Sequence, residues 1–119
     1  MSAKVNLNIE NKTKIAFSAE DAERAILKVL DDKNLKGNFE IDIKVVDKNA
    51  IHKLNKKYRD KDAPTDVLSF PIQEKVTGDL KTPILLGDII ICPKMAEDNI
   101  IELIKHSTLH LLGYHHKED

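Results

Sequence analysis

The run Ile84-Leu85-Leu86-Gly87-Asp88-Ile89-Ile90-Ile91-Cys92 is apolar almost from end to end. A strand sends alternate side chains to opposite faces, so this segment has no face suited to water and belongs in the interior of a sheet. The rest of the chain must supply its neighbours. Phe39, Ile41, Ile43 and Val45 alternate with Glu40, Asp42 and Lys44, the period of a strand with one face on a core. Residues Lys4 to Asn8 alternate in the same way, with Val5, Leu7 and then Ile9 on one side. A further strand, Val67 to Ile72, contains Pro71, which lacks an amide donor and so puts the strand at an edge or ends it there.

Between these strands the period changes. Ser18 stands three residues before Asp21 as a helix cap, and Ala22, Ala25, Ile26, Val29 and Leu30 follow as the stripe of an amphipathic helix that Gly37 and Asn38 end. Asp47 caps a second helix. Its apolar seam is Ile51, Leu54 and Tyr58, and its residues His52, Lys53, Lys56 and Lys57 face water or a ligand. Arg59 to Asp66 is a charged loop containing Pro64, and Gln73 to Thr82 is an exposed connection with a turn at Gly78-Asp79. Pro93 opens a last helix over about Lys94 to Leu112, whose Ile100, Ile101, Leu103, Ile104, Leu109, Leu111 and Leu112 make it a buried element. The order strand, helix, strand, helix, strand, strand, helix predicts an α+β fold with a mixed four-stranded sheet packed by helices.

At 119 residues the chain has room for one core, so residues 1–119 form a single domain. Its 41% hydrophobic and 33% charged residues exclude a disordered tail or a membrane protein. No stretch approaches a spanning helix and the N-terminal residues lack the apolar segment of a secretory signal, which predicts a cytoplasmic protein with no membrane partner. Cys92, the one cysteine, has no partner for an internal disulfide and reads as a packed thiol. A net charge of −1 supplies no bulk attraction to nucleic acid, so any RNA contact needs a local basic patch.

Four of the five histidines fall between His106 and His116. On a helix, residues four apart lie on one face a turn apart, so His106 and His110 can aim at one ion. Gly113 permits the left-handed backbone that ends a helix and lets the chain bring a third nitrogen back. Spacing leaves His115 and His116 both open for that place. Three histidines leave a tetrahedral ion one position short, the arrangement of catalytic zinc.

Two further segments belong with the histidines: Asn55-Lys56-Lys57-Tyr58-Arg59-Asp60-Lys61-Asp62-Ala63-Pro64-Thr65-Asp66-Val67-Leu68-Ser69-Phe70-Pro71 and Leu86-Gly87-Asp88-Ile89-Ile90-Ile91-Cys92. Together with His106-x3-His110-Leu111-Leu112-Gly113-Tyr114-x-His116 they resemble the bacterial YbeY family of single-domain, metal-dependent endoribonucleases, from about Phe39 to His116. The resemblance implies a hydrolase with one zinc ion that cuts single-stranded RNA. It also implies a role in 3′-end maturation of small-subunit (16S) ribosomal RNA and ribosome quality control, with the ribosome or its associated proteins as partners. By position, the family pattern makes His106, His110 and His116 the metal ligands and Arg59 the catalytic arginine. The chain departs from the pattern in carrying His115 where relatives usually show Asp, and in a short link between Cys92 and His106.

The residue chemistry agrees with that implication. Zinc on three neutral histidines lowers the pKa of its water to roughly 7. A guanidinium such as that of Arg59 stabilises charge on phosphoryl oxygens through paired hydrogen bonds, and Lys53, Lys56, Lys57 and Lys61 can form the local basic surface. Blander readings stand beside these. The lysines are a solvated face, Arg59 pairs with Asp60 or Asp62, His52 is a polar helix residue, and Asp66 and Asp88 either orient histidines or serve as loop caps and strand ends. Cys92 as a fourth ligand would make the zinc structural. A zinc metallopeptidase lacks support because Ser107 stands where the His-Glu-x-x-His type has its glutamate, and a ribosome-associated factor with a structural zinc is the non-enzymatic alternative.

Overall fold

The edge-to-edge order of the strands is β1-β2-β4-β3, with β1 Ala3–Asn11, β2 Gly37–Val45, β3 Val67–Pro71 and β4 Ile84–Ile91. The computed structural model describes residues 3–72 and 83–114. The predicted turn at Gly78-Asp79 and the residues His115 and His116 lie outside them. β1 and β2 are parallel, β2 and β4 are parallel, and β3 runs antiparallel to β4, so the sheet is mixed as expected. β4 is interior. β3 forms an edge and ends at Pro71, where the missing amide donor does no harm.

Both faces of β4 are covered, by different helices. On one side α1 (Ala19–Asp32) and α4 (Ile100–Leu111) enclose the larger core, built from Ile26, Leu30, Phe39, Ile41, Ile43, Leu86, Ile89, Ile91, Ile104 and Leu111 among others. On the other side α2 (Lys48–Arg59) packs Ile51 and Leu54 over Val46, Leu68, Ile90 and Cys92. A bulge beside Glu40 and Ile41 inserts Leu86 into β4, so Ile84 and Leu86 before it and Ile89 and Ile91 after it all reach the larger core. α2 covers only part of its face. Beyond it, Asn8 donates to Asp42 at 2.7 Å and to Glu40 at 3.0 Å, and Asp88 lies beside Asp42. Partial burial and the neighbouring Asp42 charge raise the Asp88 carboxyl above its ordinary range.

The helix starts follow the predicted caps. Ser18 Oγ accepts from the Asp21 amide at 3.2 Å and Asp47 Oδ1 from the Ala50 amide at 2.9 Å. Two boundaries differ from the expectation. α1 stops at Asp32 because Asn34 takes the left-handed conformation, with its amide on Asp31 O and that of Leu35 on Leu30 O; Gly37 instead opens β2. The last helix is also not continuous: Pro93–Ala96 forms a short α3, Glu97–Asn99 a 3-10 turn, and α4 begins only at Ile100. Asp98 and Asn99 are weak helix formers whose side chains compete for backbone groups, and apolar periodicity alone does not register them. α4 buries Ile104, Ser107, Thr108 and Leu111 fully, while Ile100, Ile101, Leu103 and Leu109 pack half-buried at the core margin.

Gly87 fixes how closely β3 can approach. Its φ is +142°, and a Cβ there would meet Phe70 O at 2.2 Å and a Leu111 methyl at 3.0 Å. Gly87→Ala is expected to lower the stability of the chain by at least about 2 kcal/mol, since the obstacle is backbone as well as side chain. Urea unfolding of the two proteins measures it.

Candidate functional site

The edge strand β3 forms the floor of a cleft of about 610 Å³ that α2 and α4 approach from opposite faces of the sheet. Its lining includes Tyr58 and Arg59 from the end of α2, Thr65 and Asp66 from the following loop, Ser69 and Phe70 from β3, and His106 and His110 from α4. Residues 40 or more apart in sequence thus meet because α2 and α4 both pack against β3, one on each face.

His106 and His110, both half-buried, project from one face of α4. Their Nε2 atoms are 3.1 Å apart. Two nitrogens sharing a tetrahedral zinc, each about 2.05 Å from it, lie about 3.3 Å apart. The pair therefore fits a common ion as well as it fits one imidazole donating to the other. Among the described residues no group of three histidine, cysteine, aspartate or glutamate side chains comes together to hold a metal, and the third predicted ligand, His116, lies outside them. α4 does end as expected. Gly113 has φ +97°, its amide bonds His110 O at 3.0 Å, and the Tyr114 amide bonds Leu109 O at 2.9 Å, a closure that turns the chain sharply after Leu112. Lys33, at the end of α1, holds its ammonium 4.3 Å from the centre of the Tyr114 ring.

Arg59 is exposed at the last position of α2 and forms no ion pair among the described residues. The alternative in which Asp62 neutralises it does not hold, because Asp62 Oδ1 lies 2.7 Å from His52 Nε2. That hydrogen bond, helped by Lys56, holds the Asp62 carboxyl below its usual range. His52 is thus more than a polar helix residue. It ties the loop back onto α2, as does buried Asn55, whose Nδ2 donates to Ala63 O at 2.8 Å. Neither contact has a signature in periodicity or composition; a helix histidine ten residues before an aspartate in the following loop was the available hint.

Other candidates separate. Asp66 lines the cleft, with its backbone carbonyl taken by the Cys92 amide at 2.9 Å. Asp88 is beside Asp42 on the α2 face of the sheet, away from the histidines. Cys92 is fully buried in the smaller core with Ile51 and Leu68, which removes the ground for a His3Cys zinc. Ser107 is also fully buried, so the position after the first histidine faces the core, and no general base of the peptidase type could serve the cleft from there. Lys53, Lys56, Lys57 and Lys61 are exposed, and the first three form a basic face on α2 whose last turn also suits the helix dipole. Among the described residues no helix is long and apolar enough to cross a membrane.

The family model described as "Endoribonuclease YbeY" matches residues 6–119. An Endoribonuclease YbeY of Clavibacter michiganensis subsp. michiganensis is 34% identical over 128 residues, covering 96% of this chain and 84% of that protein. One of Finegoldia magna is 44% identical over 93 residues, covering 69% of this chain and 59% of its own length. The solution structure of TM1509 from Thermotoga maritima superposes with a TM-score of 0.55 at 26% identity, over 96% of this chain and 77% of that one.

Asn55→Ala is expected to destabilise the chain by about 1–3 kcal/mol, because a buried side chain loses its bond and Ala63 O loses a donor. The shift of the chemical-denaturation midpoint at unchanged slope checks it.

Proposed function

The chain belongs to the YbeY endoribonuclease family, and from that premise we propose that it is a zinc-dependent endoribonuclease acting on single-stranded RNA, in 3′-end maturation of 16S ribosomal RNA and ribosome quality control in the cytoplasm. The observation that carries the reading is the pair of imidazole nitrogens 3.1 Å apart in the lining of the same cleft as an arginine that no carboxylate of the described residues neutralises.

His106 and His110 would hold the ion, with His116 as third ligand. When bound, zinc supplies Lewis acidity and a nucleophile at neutral pH. The protein's part is orientation and charge. α4 presents both rings from adjacent turns of one rigid element, so their separation is set before substrate arrives. Asp66 supplies a carboxylate in the cleft lining, the kind of group that fixes imidazole tautomers at metal sites. Arg59 receives the phosphodiester: its guanidinium offers paired donors to the two non-bridging oxygens, and attack at phosphorus increases the charge those donors stabilise. Lys56 and Lys57 extend the positive surface along α2, which lets a chain of net charge −1 hold a polyanion locally. The ribosome and its associated proteins are the partners this reading implies.

His110→Ala is expected to lose stoichiometric zinc and RNA cleavage together, whereas Arg59→Ala keeps zinc and loses cleavage by roughly 10²–10³-fold. Metal analysis beside a single-stranded RNA cleavage assay, with and without chelator, distinguishes the two. Unchanged cleavage by Arg59→Ala would remove Arg59 from the reaction and leave the nuclease standing, whereas a parent that cuts no RNA and unfolds when its zinc is removed would sink the enzymatic reading in favour of a structural ion.

A further inference from the structure

Tyr58 is not where an apolar seam would put it. Ile51 is fully buried and Leu54 half-buried, yet Tyr58, next on the same stripe, is 57% exposed. Its ring stands in the cleft beside Arg59. Phe70 of β3 supports it, with ring centres 5.3 Å apart and planes at 69°. The Lys57 ammonium lies over the same ring at 5.2 Å from its centre. A tyrosine with only a packing role would bury its ring; this one is braced by another aromatic and left largely open to solvent.

We propose that Tyr58 is a nucleobase-stacking subsite, which takes the base of a nucleotide adjoining the phosphate that Arg59 receives. The inference rests on the RNA reading above and specifies how that RNA is gripped. Arg59 and Tyr58 are consecutive residues, so a phosphate on the guanidinium brings a neighbouring base within reach of the ring. Lys57, exposed and held only loosely over the ring, moves to a backbone phosphate as the base stacks in its place. Charge and aromatic surface thus alternate as phosphate and base do in a single strand. Bases of a duplex are stacked on one another and offer no free face, so the subsite selects unpaired RNA. A flat ring accepts any base, and the selection is for strandedness and not for sequence.

The test uses the full zinc-loaded chain and short single-stranded oligoribonucleotides. Tyr58→Ala is expected to raise KM roughly tenfold with little change in kcat, since stacking holds ground and transition states alike. Tyr58→Trp is expected to restore the parent KM. An abasic residue at one fixed position from the cut should impose the same loss on the parent and none on Tyr58→Ala, a result that mere loosening of the Phe70 contact would not give. If the parent cuts RNA and Tyr58→Ala matches it in KM and in its response to the abasic series, the stacking subsite is wrong and the nuclease reading stands. Failure of Tyr58→Trp to restore KM while its thermal midpoint equals the parent's also overturns stacking. A parent that neither binds nor cuts RNA overturns both proposals.

Discussion

The contact on which the cleft depends is the approach of the Phe70 carbonyl to Gly87, closer than any residue with a Cβ would allow. It seats β3 against β4 at the edge of the sheet, where α2 packs on one face of β3 and α4 on the other. Everything brought together at the site uses that seating. Arg59 and Tyr58 arrive from one face of the sheet and the histidines from the other, and a shift of β3 by one residue would exchange the faces of Leu68, Ser69 and Phe70. Leu111, one residue beyond His110, touches the same glycine position, so the helix that carries the imidazoles is registered against the same point.

Much of this was legible in the residues. Alternation at Phe39–Val45, the apolar run at Ile84–Cys92 and the proline in β3 are direct consequences of how strands bury faces and edges, and they put β4 in the interior of the sheet and β3 at its edge. Ser18 and Asp47 announced helix starts because an oxygen three residues before an amide does that work whatever the tertiary context. The ends were harder. Asn34 adopts the left-handed conformation three residues ahead of the more obvious Gly37, and the break at Glu97–Asn99 sits inside what reads as one apolar stripe. The Leu86 bulge explains why periodicity could not sort the residues of β4 by face, since the alternation changes phase within the strand.

At the site, local spacing carried what local geometry determines. The four-residue step from His106 to His110 fixes their convergence on any helix, and Gly113 closes α4 as its conformational freedom suggests. What spacing cannot carry is contact between separate elements. The His52–Asp62 bond, the buried donor of Asn55 and the position of Asp88 beside Asp42 depend on where loops and strands end up in space. Tyr58 shows the converse: its place in the stripe is correct, but it meets the edge strand only through Phe70 and leaves most of its ring open.

The turn after Leu112 ends with Tyr114 under the ammonium of Lys33, a residue at the far end of α1. The departure point of the last residues is thereby moored to the first helix and not solely to the helix they leave. Fraying at the Asp31–Lys33 end of α1 would accordingly be felt more than 80 positions later, and because Asp32 and Lys33 also line a smaller pocket with His106, substitutions there can perturb the imidazole pair from behind without lining the cleft themselves.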